Sequence, residues 1–254
     1  MKMIRMLGVV FFLISNVALS QGFWSNVDNE VERSSITATA LVGDSMILVG
    51  KTGTGCFGST HLQAYDVAGN LLWEKPRFFS TIKKIEVRNG TIYTCGSENS
   101  SDTHSGDVRF SKYSLKGDSI FEVKFPENYP DQWRVPTDLM TVNSKGKIAA
   151  ASTQKNTAPV YYGNFVVNST GSVIKEDTFH IARAPKILSY ISDTSLYLVS
   201  ESSVYLLDST LKVRDSLSLK NNVITALFND SALYVVSSNK VLKINMELAI
   251  VDSV

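Results

Sequence analysis

The sequence predicts an all-β fold, a β-propeller of about five four-stranded blades over residues 36–254, and three observations carry that expectation. An apolar run closed by Gly or Ser recurs five times. A short polar turn residue recurs downstream of each run and keeps step with it. No stretch of ten or more residues shows capped 3.6-residue periodicity. A β-sandwich or an open repeat array with regular hairpins is the alternative reading of the same pattern.

The first twenty residues read as a signal peptide. Lys2 and Arg5 form a basic start, Met6 to Ile14 is an unbroken run of apolar residues and Gly, and Ala18-Leu19-Ser20 places small residues before a cut at Gln21. The run is too short to span a bilayer. The mature chain is therefore expected in a secreted or periplasmic compartment, without stable membrane insertion. Residues 21–35, with Phe23, Trp24, Val27 and Val31, are expected to be a leader or an extra outer strand.

The repeat begins after that. The apolar runs are Met46–Gly50, Ile92–Gly96, Ile148–Ser152, Leu196–Ser200 and Leu233–Ser237, with closing residues 46, 56, 48 and 37 apart. The turn residues are Asp66, Ser114, Asn168, Asp208 and Asn245, spaced by 48, 54, 40 and 37. Two markers that stretch and shrink together define a unit of about 44 residues, the size of a propeller blade.

Within each unit, strand A precedes a tight turn such as Gly43-Asp44 or Asn89-Gly90. Strand B is the apolar run, as a strand covered on both faces must be. Strand C follows, as in Leu62–Tyr65 and Val204–Leu207. Strand D, as in Ser119–Lys124 and Leu211–Ser216, is the most polar and suits an outer edge.

The stretch Leu62-Gln63-Ala64-Tyr65-Asp66-Val67-Ala68-Gly69-Asn70-Leu71-Leu72-Trp73 resembles the quinoprotein-like (PQQ-like) propeller repeat, with its apolar-x-Asp-x-x-Gly-x-x-x-Trp core. The later units keep the strands and lose the Trp. The resemblance implies the fold and matches no cofactor-binding motif, so no cofactor is expected.

Composition narrows the function. At 44% hydrophobic and 19% charged the chain is an ordinary globular one. Without the leader, 23 basic residues face 24 acidic ones, and no basic run gives nucleic acid a footing. Two cysteines and three histidines, scattered, do not make a structural metal site. Export permits a bridge between Cys56 and Cys95, both expected near one loop face.

Several motifs offer chemistry. Gly53-x-Gly55-x-x-Gly58 matches the dinucleotide fingerprint, yet a strand and turn follow it where the motif needs a helix. Ser97–Asp107 is rich in possible cation ligands with no known spacing, and reads as a solvated loop. No catalytic signature is present. Glu86 and Asp138 are the inner-strand carboxylates a propeller glycosidase would need, but they stand at different points of strand A.

Loop lengths remain. The B–C connections of units 1 to 3 are long, those of units 4 and 5 are short, and an aromatic D–A connection covers Pro126–Arg134. Long connections on one face of a rigid scaffold are where binding sits. The expectation is a non-catalytic binding module for a protein or glycan, with Trp133, Arg134, Tyr161, Tyr162, Asp102, His104 and Asp107 in one sector. The alternative is a propeller enzyme acting on glycans, or a quinoprotein-like oxidoreductase.

Overall fold

The computed structural model describes residues 34–53, 60–77, 80–99, 106–125, 134–154, 162–179, 185–220, 222–229, 232–238 and 240–253. They form twenty strands in five antiparallel sheets of four. Sheet 1 is β1 (Ser34–Val42), β2 (Met46–Gly53), β3 (Thr60–Asp66) and β4 (Leu71–Arg77). Sheet 2 is β5 (Ser80–Arg88), β6 (Thr91–Asn99), β7 (Gly106–Ser114) and β8 (Ser119–Phe125). Sheet 3 is β9 (Arg134–Val142), β10 (Ile148–Gln154), β11 (Tyr162–Val167) and β12 (Val173–Phe179). Sheet 4 is β13 (Pro185–Ser192), β14 (Ser195–Ser200), β15 (Ser203–Asp208) and β16 (Val213–Ser218). Sheet 5 is β17 (Val223–Asn229), β18 (Ala232–Ser237), β19 (Val241–Asn245) and β20 (Ile250–Ser253). Each sheet is ordered as its strands occur in the chain, so each is one propeller blade.

The core lies between blades. Four buried clusters join sheets 1 and 2, 2 and 3, 3 and 4, and 4 and 5. Strand period sets this up, because neighbouring residues point to opposite faces. On β14, Leu196 and Leu198 pack toward sheet 3 while Tyr197 and Val199 pack toward sheet 5. That is why the B strands carry no polar face. The face a sheet turns to its successor is called downstream here, the other upstream. No buried cluster joins sheet 5 to sheet 1 among the described residues.

The recurring turn residue has one job in all five sheets. Asp66, Asn168, Asp208 and Asn245 each accept, through Oδ1, the backbone N–H groups two and four residues on, and Ser114 does the same through Oγ. The residue three places on then takes a positive φ: Gly69, Gly117, Gly171, Leu211 and Leu248. Two of these five are leucines, and a size exchange explains them. A Cβ on Gly117 would come within 2.9 Å of the Trp73 ring, and one on Gly171 within 2.9 Å of the Phe121 ring. Trp73 and Phe121 stand on the D strand of the preceding sheet, where the next two sheets have Lys175 and Asp215. With no aromatic ring arriving from the neighbour, Leu211 and Leu248 fill the space themselves and are buried. Burying a leucine is worth about 1.5–3 kcal/mol, enough to offset the roughly 1–2 kcal/mol that a left-handed residue costs.

Some boundaries differ from expectation. Strand D of sheet 4 starts at Val213, because Leu211 belongs to the turn. β1 takes in Ser34 and Ser35, so it begins ahead of residue 36. Cys95 is not near the loop face. β6 runs on to Asn99, which leaves Cys95 in mid-strand, buried on the downstream face. Cys56, its expected partner, lies outside the described residues.

Candidate functional site

The two ends of the sheet array are built differently. At one end lie the A–B and C–D turns, and side chains bind them from sheet to sheet. At each of the four interfaces one side chain donates to a carbonyl in the next sheet's C–D turn: Trp73 Nε1 to Leu115 O at 2.9 Å, Lys112 Nζ to Ser169 O at 3.3 Å, Lys147 Nζ to Ser209 O at 2.7 Å, and Tyr197 Oη to Asn245 O at 2.7 Å. The A–B turns add a second row. Asn89 Nδ2 donates to Ser144 O at 2.8 Å, and Ser144 donates through N and Oγ to Asp193 Oδ1 at 3.1 and 2.6 Å. The Ser144 hydroxyl beside Asp193 holds that carboxyl below its ordinary range.

The B–C and D–A connections leave from the opposite end. In sheets 1 to 3 the B–C connections are residues 54–59, 100–105 and 155–161, against 201–202 and 238–240 in sheets 4 and 5. The D–A connection between sheets 2 and 3 is 126–133. The short connections of sheet 4 are tied together by backbone bonds, Leu219 N to Ser202 O at 2.7 Å and Val223 N to Glu201 O at 2.8 Å.

Three of the seven expected binding residues fall on described backbone at this end. Arg134 opens β9 opposite Gln154, and Tyr162 opens β11 opposite Thr153, so both stand at one rim of sheet 3. Asp107 is the second residue of β7, opposite Glu98 in sheet 2. Of the polar segment 97–107, Ser97–Asn99 belong to β6 and Gly106–Asp107 to β7, while residues 100–105 lie outside the described residues. Trp133, Tyr161, Asp102 and His104 lie outside the described residues.

A polar row on sheet 1 escaped the sequence reading. On the upstream face, Tyr65 Oη donates to Gln63 Oε1 at 2.8 Å, and Gln63 Nε2 donates to Glu74 Oε1 at 2.9 Å. His61 Nδ1 stands 2.5 Å from the same oxygen. The alternation 61, 63, 65 on strand C was its sequence signal, since every second residue shares a face. The row links strands C and D of sheet 1, which suits a structural role.

The inner-strand carboxylate also has a structural partner. Glu86 Oε1 accepts the backbone N–H of Val142 at 3.0 Å, from sheet 2 to sheet 3. Burial raises its carboxyl above the ordinary range, and that hydrogen bond partly opposes the rise. The side chain of Asp138 lies outside the described residues. No group of three or more metal-ligating side chains occurs among the described residues, and no helix there is long and apolar enough to cross a membrane.

No family model matches the chain, and no curated protein matches it either. Solved structures do. A catalytically inactive variant of virginiamycin B lyase from Staphylococcus aureus, with quinupristin, superposes with a TM-score of 0.60 at 13% identity, over 89% of this chain and 71% of that one. The WD40 domain of Neurospora crassa Pan2 gives 0.59 at 12%, over 87% and 66%. A Bacteroides caccae protein of unknown function gives 0.55 at 14%, over 84% and 73%. At such identities the likeness shows the propeller fold, and the chain spans about two thirds to three quarters of those propellers.

Proposed function

We propose that this chain is an exported β-propeller module that binds a protein or glycan at the end carrying the B–C and D–A connections, and that it catalyses no reaction on its ligand. One observation carries the reading. Cross-sheet hydrogen bonds fix the turn end at all four interfaces, while connection length and variety gather at the other end, over sheets 1 to 3. A rigid scaffold with a variable rim is the usual arrangement of a binding protein. Arg134 and Tyr162 at one rim of sheet 3 supply residue types suited to contact with proteins and sugars. The leader at residues 1–20 supports export. The bond from the Val142 amide to Glu86 supports a structural role for that carboxylate over the glycan-cleaving alternative.

The test uses the mature chain from Gln21 on a glycan array and against candidate extracellular proteins by surface plasmon resonance. Trp133→Ala and Arg134→Ala are measured in parallel. A ligand whose affinity falls by about 2 kcal/mol or more in either variant, with unchanged melting, supports the reading. A Trp133→Ala variant that instead loses roughly 3–5 kcal/mol of stability, with Arg134→Ala without effect on any ligand, makes Trp133 part of the core and removes this site.

A further inference from the structure

Six of the 14 aspartates are followed by Ser, although only one residue in eight is Ser. The pairs begin at Asp44, Asp118, Asp208, Asp215, Asp230 and Asp252, and the residue after each Ser is apolar or Thr. Asp44, Asp118 and Asp208 stand in or beside turns, where Asp is favoured. Asp215 and Asp252 do not. They lie inside β16 and β20, and Asp is depleted in strands. Both pair with the residue two places before the C–D turn residue, Leu206 and Lys243, so the Asp-Ser pair recurs at one register position of the outer strand. Asp230 and Ser231 lie outside the described residues.

The serines of these pairs are open. Ser45, Ser119, Ser216 and Ser253 are exposed, and none of their hydroxyls makes a hydrogen bond among the described residues. Serines that hold turns differ: Ser114, Ser144, Ser200 and Ser237 all bond through Oγ. At Ser216 and Ser253 the preceding Asp accepts the serine's own backbone N–H, at 2.7 and 2.8 Å, and leaves the hydroxyl out. None of the six pairs falls in a B–C or D–A connection, so the end proposed for binding carries none. We propose that the Asp-Ser-x tripeptides are acceptor sites for O-glycosylation at the seryl Oγ. That oxygen attacks the anomeric carbon of a glycosyl diphosphate. Its proton passes to a base of the transferase, and the bond from that carbon to the diphosphate breaks, its electron pair leaving on the phosphate oxygen. The choice of donor rests on export as proposed above, since a lipid-borne glycosyl diphosphate is at hand outside the cytoplasm where ATP is not. Sugars are bulky and polar, and on β16 and β20 they cover open sheet edges.

The experiment expresses the full chain, leader included, in its native host and measures the purified protein by intact mass and by electron-transfer fragmentation of its peptides. Sugar increments are expected on Ser45, Ser119, Ser216 and Ser253. None is expected on Ser218, which is also exposed on β16 but follows Leu217. Asp215→Asn keeps an acceptor for the Ser216 N–H and removes the carboxylate. It is expected to lose the sugar at Ser216 alone, the other three sites reporting that the variant is still exported and modified. An intact mass equal to the bare polypeptide overturns the proposal. So does sugar on Ser218, phosphate in place of sugar, or sugar retained at Ser216 in the Asp215→Asn variant. The N-terminal peptide shows separately whether cleavage falls before Gln21, so a failure of export is told apart from a failure of the acceptor sites.

Discussion

Glu86 reaches from the inner strand of sheet 2 to the backbone N–H of Val142 in sheet 3, and Thr141 repeats the reach one sheet later. Thr141 Oγ1 accepts the N–H of Tyr190 at 3.2 Å, as Glu86 Oε1 accepts that of Val142 at 3.0 Å. Both acceptors occupy the same register position, opposite Tyr93 and Ala149 of the neighbouring B strand. A carboxylate in one sheet and a hydroxyl in the next do the same work, so the negative charge is incidental to it.

This predicts the pH response of Glu86. Burial raises its carboxyl above the ordinary 4.5. The stability it contributes is complete below that value and is lost as pH rises through the raised one. Glu86→Gln keeps an acceptor oxygen and removes the charge. The variant should therefore gain on the native chain as pH rises above 4.5, in urea midpoints measured across that rise. Glu86→Ala leaves the Val142 amide unpaired and should lose about 1–3 kcal/mol at pH 7.

Gly117→Ala should cost about 1–3 kcal/mol, because the new methyl meets the Trp73 ring at 2.9 Å on a residue of φ +84. Trp73→Ala should relieve the clash and leave only the backbone strain, so the two losses will not add. A double-mutant cycle in guanidinium checks this, and strict additivity would disprove the contact as described.

Leu211→Gly tests the opposite balance. Glycine relaxes the positive φ of 65 but empties a buried position between sheets 3 and 4. Cavity formation at about 2–5 kcal/mol exceeds the relief, so a net loss near 1–3 kcal/mol is expected in denaturant melts. An unchanged or raised midpoint would show that the cluster does not depend on Leu211.

Cys95 should resist maleimide in the folded chain and react once denatured, because its thiol is buried between sheets 2 and 3. Peptide mass spectrometry separates it from Cys56. Native labelling of Cys95 would contradict its burial between sheets 2 and 3.

The blade pattern was legible because turn chemistry is local. Asp66 and its four counterparts mark themselves by side chains that bind backbone two and four residues on, and such marks survive without any knowledge of the neighbours. The exchange of Gly117 and Gly171 for Leu211 and Leu248 is written in the sequence too, but it is readable only once strand D of one sheet is known to face the next turn. The role of Glu86 between sheets 2 and 3 was hidden for the same reason. Its partner is a backbone amide 56 residues away, which no spacing announces. The end proposed for binding was legible only as uneven connection lengths, because most of its expected side chains lie in connections whose sequence follows no repeat.

The row of donors into successive C–D turns gives the molecule a direction of failure under load. Each sheet is fastened to the next by its own clasp and its own cluster, and no buried cluster among the described residues fastens the last sheet to the first. Tension applied at Val254 would meet the clasp of Tyr197 on Asn245 first and then the backbone bond from Val223 to Glu201. The molecule should then unzip blade by blade from that end, with a sawtooth of separate ruptures, where a ring sealed on itself would hold and break at once.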